Sequence, residues 1–438
     1  MELMPNIQGE IRIQPPNYSR DCLTSKQEPQ MKLDFSYYMP TRIIFGCGKL
    51  SELETTPYLP GVKALVVIGA SGAMKKHGYL DRVTKYLKSN GVETVVYDRI
   101  QPNPVSEHVE EGASVAKENN CDFVVGLGGG STIDSAKSIA VMAVNPGRYW
   151  DYIARGSGGG KTPIHGALPI VAITTTAGTG TEADPWTVIT RSETNEKIGW
   201  GANCTFPCLS IVDPELTLSV PARTTAYTGM DAFFHSVETY LATINQPTSD
   251  HLALEAVGLI TKYLPIAVKD GTNIEARTKL AWANTEAGIC ESLSCCISHH
   301  SMEHAVSAYY PDVAHGAGLT MLSVSYFSYL AERNPARFGD LAQAMGEDIN
   351  VSRASCPRFE GGTPSTRESA MAFIAGLKKL IKNIGLEDEK LSDFGVQRDD
   401  LKTFTENSFY AMGSLFDITP VKLTKDDVLA IYENAYSD

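Results

Sequence analysis

From Thr41 the chain alternates short aliphatic, β-branched runs with amphipathic stretches. ALVVIG (64–69) precedes a helical pattern over 73–89, TVVYDRI (94–100) precedes one over 106–119, and DFVVGLG (122–128) precedes one over 132–144. That alternation predicts a parallel α/β layout, in which ligands sit at the carboxyl ends of the strands. LPIVAITTTAGTGTE (168–182) reads as a further buried strand that runs into small hydroxyl residues. Past Asp213-Pro214 the apolar spacing becomes helical, over 224–242, 249–268, 274–296 and onward to the C-terminus. The expected architecture is an α/β N-terminal domain over 31–213 and an all-α C-terminal domain over 214–438, with a cleft between them. Residues 1–30 are polar, contain Pro15-Pro16 and lack both a basic start and an apolar run, so they read as a flexible extension without an export signal.

Composition narrows the partners. With 438 residues, 43% hydrophobic and 20% charged, the chain has the make-up of a soluble globular enzyme of two domains. A net charge of -13 and a pI near 5.2, with no cluster of Lys and Arg, exclude nucleic acid as the expected partner. No segment reads as an uninterrupted apolar span, so no membrane is expected. The nine cysteines do not form a secreted disulfide framework and read as reduced thiols in a cytoplasm. A structural zinc site at Cys295 and Cys296 would need a second spaced pair, which is missing.

Two stretches carry chemistry. Gly128-Gly129-Gly130-Ser131 reads as the turn between the strand ending at Leu127 and a helix starting at Thr132. Glycines there let a pyrophosphate approach the backbone, and the helix N-terminus offers free amides and the positive end of a dipole. Asp134 and Lys137 read equally as a pair on one helix face. A second glycine run, Arg155-Gly156-Ser157-Gly158-Gly159-Gly160-Lys161-Thr162, ends like a phosphate-binding P-loop. It fails as one, because Arg155 stands at the first glycine position, no strand precedes it and Pro163 follows, so it reads as a flexible surface loop.

The other stretch is His299-His300-Ser301-Met302-Glu303-His304, running on to His315 after a break at Tyr310-Pro311-Asp312. His300 and His304 are spaced i,i+4 on one helix face, and so are Asp231 and His235 in TGMDAFFHSVE. One carboxylate and two or three imidazoles on facing helices make a common ligand set for a divalent transition metal.

GMDAFFHSVE, HSMEHAVSAYYPDVAHG and, upstream, GGGSTIDSAK resemble, in order, the metal-binding and nucleotide-binding blocks of the iron-containing (group III) alcohol dehydrogenases. The likeness runs from about Tyr38 to the C-terminus. It implies that 31–213 is a dinucleotide-binding domain and 214–438 a metal-binding domain, on the plan shared with dehydroquinate synthases. It further implies Asp231, His235, His300 and His315 as metal ligands, with His304 beside the metal as a proton relay. His299, adjacent to His300, is expected to point elsewhere. Gly128, Gly129, Gly130, Ser131, Asp134, Thr175, Thr176, Thr179, Asn103 and Lys197 are implied as cofactor neighbours, although Lys197 taken alone reads as an ordinary loop group.

The function implied is hydride transfer between NAD(H) or NADP(H) and a small aldehyde, such as butanal, lactaldehyde, succinic semialdehyde or sulfoacetaldehyde. Fe2+ is the expected metal, with Zn2+ or Mn2+ as alternatives, and a cytoplasmic homo-oligomer, dimer or larger, is the expected form. A dehydroquinate synthase-like lyase is the alternative. Two departures stand out. Gly69-Ala70-Ser71-Gly72 lacks the acid that reads an unphosphorylated ribose and has Lys75 and Lys76 nearby, which leaves NAD against NADP open. The His300 to His315 spacing is one residue longer than in several members.

Overall fold

Runs of Val, Ile and Leu with few polar interruptions form strands that are buried on both faces, as a parallel sheet covered by helices requires. In the computed structural model, which describes residues 34–348 and 367–437, the strands are β1 (Arg42–Phe45), β2 (Lys63–Gly69), β3 (Glu93–Ile100), β4 (Phe123–Gly128), β5 (Ile170–Thr174), β6 (Thr187–Arg191), β7 (Glu196–Trp200) and β8 (Leu209–Val212), and β2, β4, β5 and β8 have this buried character. The expectation for the leader, 1–30, falls outside the described residues.

The main sheet has the order β1-β8-β5-β4-β2-β3, and every pairing in it is parallel. After β2 the chain moves outward to β3, and after β4 it moves the other way to β5. The order therefore reverses between β2 and β4, and a crevice opens beyond their carboxyl ends, where Gly69 and Gly128 stand. One face of the sheet packs Leu65, Val67 and Val124 under Ile139, Ala140 and Trp150; the other packs Val66, Val125 and Ile173 against Leu80, Val83 and Leu87.

Three local differences from the sequence reading have physical causes. The helix after β4 starts at Gly130 rather than Thr132, because Gly129 alone takes the extended cap conformation (φ -84°, ψ -169°). The pattern over 73–89 is two helices, Ala73–Lys76 and Tyr79–Ser89, broken where Gly78 takes φ +71°. The antiparallel hairpin β6-β7 was not anticipated, and Lys197 lies in its second strand rather than in a loop.

After β8 the major elements are helices. Ala222–Leu241, Pro247–Lys269 and Ile274–Leu293 pack together, His315–Arg333 packs on Ala222–Leu241 and on Ser298–Tyr309, and Ser298–Tyr309 also touches β7. Their shared core includes Phe233, Phe234, Val257, Leu264, Tyr326, Phe327 and Phe373. Pro247–Lys269 is the one described helix long and apolar enough to cross a membrane by length and composition. Its apolar face, with Ala253, Val257, Ile260 and Leu264, is instead spent on this core.

Candidate active site

Asp231 and His235 sit one turn apart on Ala222–Leu241, a helix buried on nearly all sides from Thr225 to Leu241. Ser298–Tyr309 is buried throughout its first eleven residues and presents His300 and His304. It ends at Tyr310-Pro311-Asp312, and the next helix begins at His315 itself. Gly316 lets that helix start close: a Cβ there would stand 2.0 Å from Tyr227 O, so only glycine permits His315 to reach Asp231.

The result is a convergence on one oxygen. Asp231 Oδ1 lies 3.6 Å from His235 Nε2, 3.7 Å from His300 Nε2 and 3.4 Å from His315 Nε2. The other ring nitrogen of each imidazole is occupied. His235 Nδ1 donates to Gly178 O at 3.2 Å, His300 Nδ1 to Glu238 Oε1 at 2.7 Å, and His315 Nδ1 to Glu303 Oε2. A proton fixed on Nδ1 leaves the Nε2 lone pair aimed inward, the arrangement by which outer carboxylates and carbonyls orient metal-binding histidines.

The donor set fits a cation. Asp231 Oδ1 and His300 Nε2 are buried without a hydrogen-bond partner among the described residues. Tetrahedral ligation at about 2.0–2.2 Å sets donor atoms roughly 3.4 Å apart, close to the separations found here. Burial works to raise the Asp231 pKa, but the facing imidazoles pull it down to about 2. Burial likewise opposes the charge of Glu238, and His300 and His299 hold it below the usual carboxylate range. The same Glu238 overcomes the effect of burial on His300 and, with Asp231, raises its pKa. Burial, reinforced by Lys197, lowers His304 and His315 well below the ordinary histidine value.

His304 stands beside this group, its ring 5.3 Å from that of His315 and 6.3 Å from that of His300, with Nδ1 unpartnered. His299 points away. Its Nδ1 lies 2.8 Å from Glu238 Oε1 and its Nε2 3.0 Å from Leu319 O, so both nitrogens face partners away from the cluster.

The glycine turn lies across the same cleft, of about 780 Å³, lined also by Asn103, Thr175, Thr176, Thr179 and Lys197. Cβ atoms on Gly129 and Gly130 would meet Thr176 Oγ1 at 2.8 Å and Thr179 Cγ2 at 2.2 Å, so this wall closes only on glycine. No side chain caps the helix Gly130–Val144, which leaves its first amides open to an anion. Asp134 reaches the cleft wall, but its carboxylate accepts from Thr181 Oγ1 at 2.7 Å and Val188 N at 2.9 Å. Lys137 does not pair with it; the buried ammonium donates instead to Thr181, Asp184 and Trp186 O. Lys197 Nζ bridges the two halves, donating to Asn103 Oδ1 at 3.1 Å and Ser307 Oγ at 2.8 Å, while Asn103 Nδ2 donates to Pro311 O at 2.8 Å.

Sequence reasoning missed Glu238, Glu303 and Glu291. The first two follow a histidine by three residues in parallel phrases, His-Ser-Val-Glu and His-Ser-Met-Glu, a repeat that was open to view. Glu291 is raised to about 7 by burial; its Oε1 lies 3.5 Å from His235 Nε2 and accepts from Cys296 Sγ at 2.7 Å. The loop carrying Lys161 is tethered rather than free: Gly160 N donates to Ile153 O, Gly159 N to Trp150 O, and Lys161 pairs with Asp151.

A parallel sheet with an open glycine turn, closed by helices that converge three imidazoles and a carboxylate, defines a class of two-domain, metal-type dehydrogenases. The chain belongs to the iron-containing alcohol dehydrogenase family. Residues 40–214 match the family described as iron-containing alcohol dehydrogenase, and 225–436 match its C-terminal counterpart. The NAD-dependent methanol dehydrogenase of Bacillus methanolicus is 33% identical over 402 residues, 91% of this chain and 99% of that protein. The 1,3-propanediol dehydrogenase of Klebsiella pneumoniae is 33% identical over 92% of this chain and 99% of its own length. The crystal structure of an archaeal halo-thermophilic alcohol dehydrogenase from a Red Sea brine pool shares 38% identity at a TM-score of 0.85, covering 92% of this chain and all (100%) of that one.

Proposed function

We propose that this protein reduces a small aldehyde with NADH or NADPH, using one divalent metal held by Asp231, His235, His300 and His315. The observation that carries the reading is the approach of three Nε2 atoms to Asp231 Oδ1 while each Nδ1 is tied elsewhere. A bound metal supplies Lewis acidity, polarising a carbonyl or lowering the pKa of an alcohol; Fe2+ is the first choice, with Zn2+ and Mn2+ chemically acceptable.

The chain's own residues do the rest. Glu238 and Glu303 keep the imidazoles in register. Gly128, Gly129, Gly130 and Ser131 receive the dinucleotide phosphates, with Thr175, Thr176, Thr179, Asn103, Lys197 and Asp134 along its path. His304, unpartnered at Nδ1, moves a proton to the reacting oxygen as a neutral ring, taking one up as it gives one away. The turn Gly69–Gly72 carries no carboxylate, and Asp98 of β3 is paired with Lys75 at 2.5 Å. The proposed organisation is a dinucleotide domain over 31–213 and a metal domain over 214–438, in a cytoplasmic homo-oligomer.

The test is oxidation of NADH and of NADPH with a panel of aldehydes, before and after chelation and after Fe2+ or Zn2+ is restored. Cofactor consumption lost on chelation and regained with metal supports the reading. No net consumption with any aldehyde refutes it, and turnover without net consumption is the outcome a lyase gives.

A further inference from the structure

One wall of the cleft is polar in a way that the dinucleotide and the metal leave unexplained. Arg155 lines it together with Trp186, Glu291, Cys295, Met412 and Leu415. Arg155 is half-buried, and among the described residues its guanidinium has no hydrogen-bond or ion-pair partner. Arg277 shows how this fold treats a buried guanidinium of purely structural purpose, since it donates to Gly271 O, Thr225 Oγ1 and Val220 O. Asp417 and Cys295 act on Arg155 only through space, and burial works against its charge. A guanidinium does not shed its proton to escape that cost, so five donors in a planar fork stay in the cleft seeking an acceptor.

The position of Arg155 is built. Arg155 O accepts from Gly158 N at 2.9 Å, and Ser157 is clamped by its backbone amide to Glu196 Oε1 at 2.6 Å, by its hydroxyl to Glu196 Oε2, and by Trp150 Nε1 at 3.0 Å. From Arg155 the wall runs to Cys295, then Cys296, whose thiol meets Glu291 at 2.7 Å, and Glu291 stands 3.5 Å from His235 Nε2. Arg155 and the imidazole cluster line the same cleft, so a small molecule held at the imidazoles shares that cleft with the guanidinium.

We propose that Arg155 is a second anchor for the substrate, and that the substrate is a short aldehyde, or its alcohol, with a terminal carboxylate a few carbons from the reacting carbon. The inference rests on the aldehyde-reductase reading above. A carboxylate matches the guanidinium fork in a bidentate way that a methyl or hydroxyl terminus does not.

The test compares succinic semialdehyde with butanal, of equal carbon count, on the metal-loaded full chain with saturating cofactor. The ratio of their kcat/KM values is expected to exceed about ten in the wild type, the range of a charge-assisted hydrogen bond. It should fall at least tenfold in Arg155→Gln, chiefly through KM for the anionic aldehyde, and recover in part in Arg155→Lys. A wild-type ratio of one or less, or a ratio unmoved in Arg155→Gln, overturns the proposal and leaves the reductase reading standing. Should neither aldehyde be reduced, the reductase reading is left to the wider aldehyde panel, and the anion site is judged by calorimetry with succinate. Binding weakened tenfold or more in Arg155→Gln supports the site, and equal or absent binding in both proteins overturns it.

Discussion

Glu238 accepts hydrogen bonds from two successive histidines, at 2.8 Å from His299 Nδ1 and 2.7 Å from His300 Nδ1. Its second oxygen accepts from the backbone amide of Ile297 at 2.9 Å. One buried carboxylate thus fixes the start of the helix Ser298–Tyr309 and the ring orientation of His300. Glu238→Ala is expected to lower metal affinity about 10- to 100-fold, the usual effect of losing an outer partner of a ligand. It should also lower Tm, because two imidazoles lose their acceptor in the core. Competition with a chelator and a thermal melt read the two effects separately.

Gly130→Ala tests the dinucleotide wall. The added Cβ would stand 2.2 Å from Thr179 Cγ2, so Thr179 or the turn must move. Dinucleotide affinity, measured by NADH fluorescence, is expected to fall about tenfold or more, the scale of 1.4 kcal/mol. Metal content should stay unchanged.

These two sites were legible to different depths. The i,i+4 pair Asp231 and His235 and the run His299–His304 are local signals, and the helices that carry them form where apolar spacing places them. The carboxylates that orient the rings were not read, because their bonds cross between helices: Glu238 reaches His300 from another helix, and Glu303 reaches His315 across a turn. Likewise Arg155 lies in a glycine-rich stretch with the composition of a free loop, and the anchoring of Ser157, two residues on, by Glu196 of β7 is a tertiary contact with no local trace. The start of the helix at Gly130 was misplaced for the opposite reason: glycine and serine are poor helix formers, and the packing of Gly129 and Gly130 on Thr176 and Thr179 overrides that propensity.

Glu286 gives a pH dependence away from the cleft. Burial, with Glu255 nearby, raises its pKa from 4.5 to about 8. A carboxyl raised in the folded state contributes its stability below the unfolded pKa and loses it as pH rises through the folded one. Glu286→Gln removes that loss. The Tm of the variant minus that of the wild type is therefore expected to grow from pH 5 to pH 8, and a gap constant with pH would refute the assignment.

His304→Ala separates proton transfer from metal holding. The variant is expected to keep dinucleotide affinity and lose about 10²-fold or more in kcat on the best aldehyde, the scale of a general acid. Equal kcat in variant and wild type would remove His304 from the reaction.

The most direct test of the account is metal content by elemental analysis of the wild type beside His235→Ala, His300→Ala, His315→Ala and His304→Ala, purified identically after Fe2+ loading. The expected result is metal bound in the wild type and in His304→Ala, and lost in the other three. Full occupancy in any of those three, or release of the metal in His304→Ala, would contradict the assignment of Asp231, His235, His300 and His315 as the metal site.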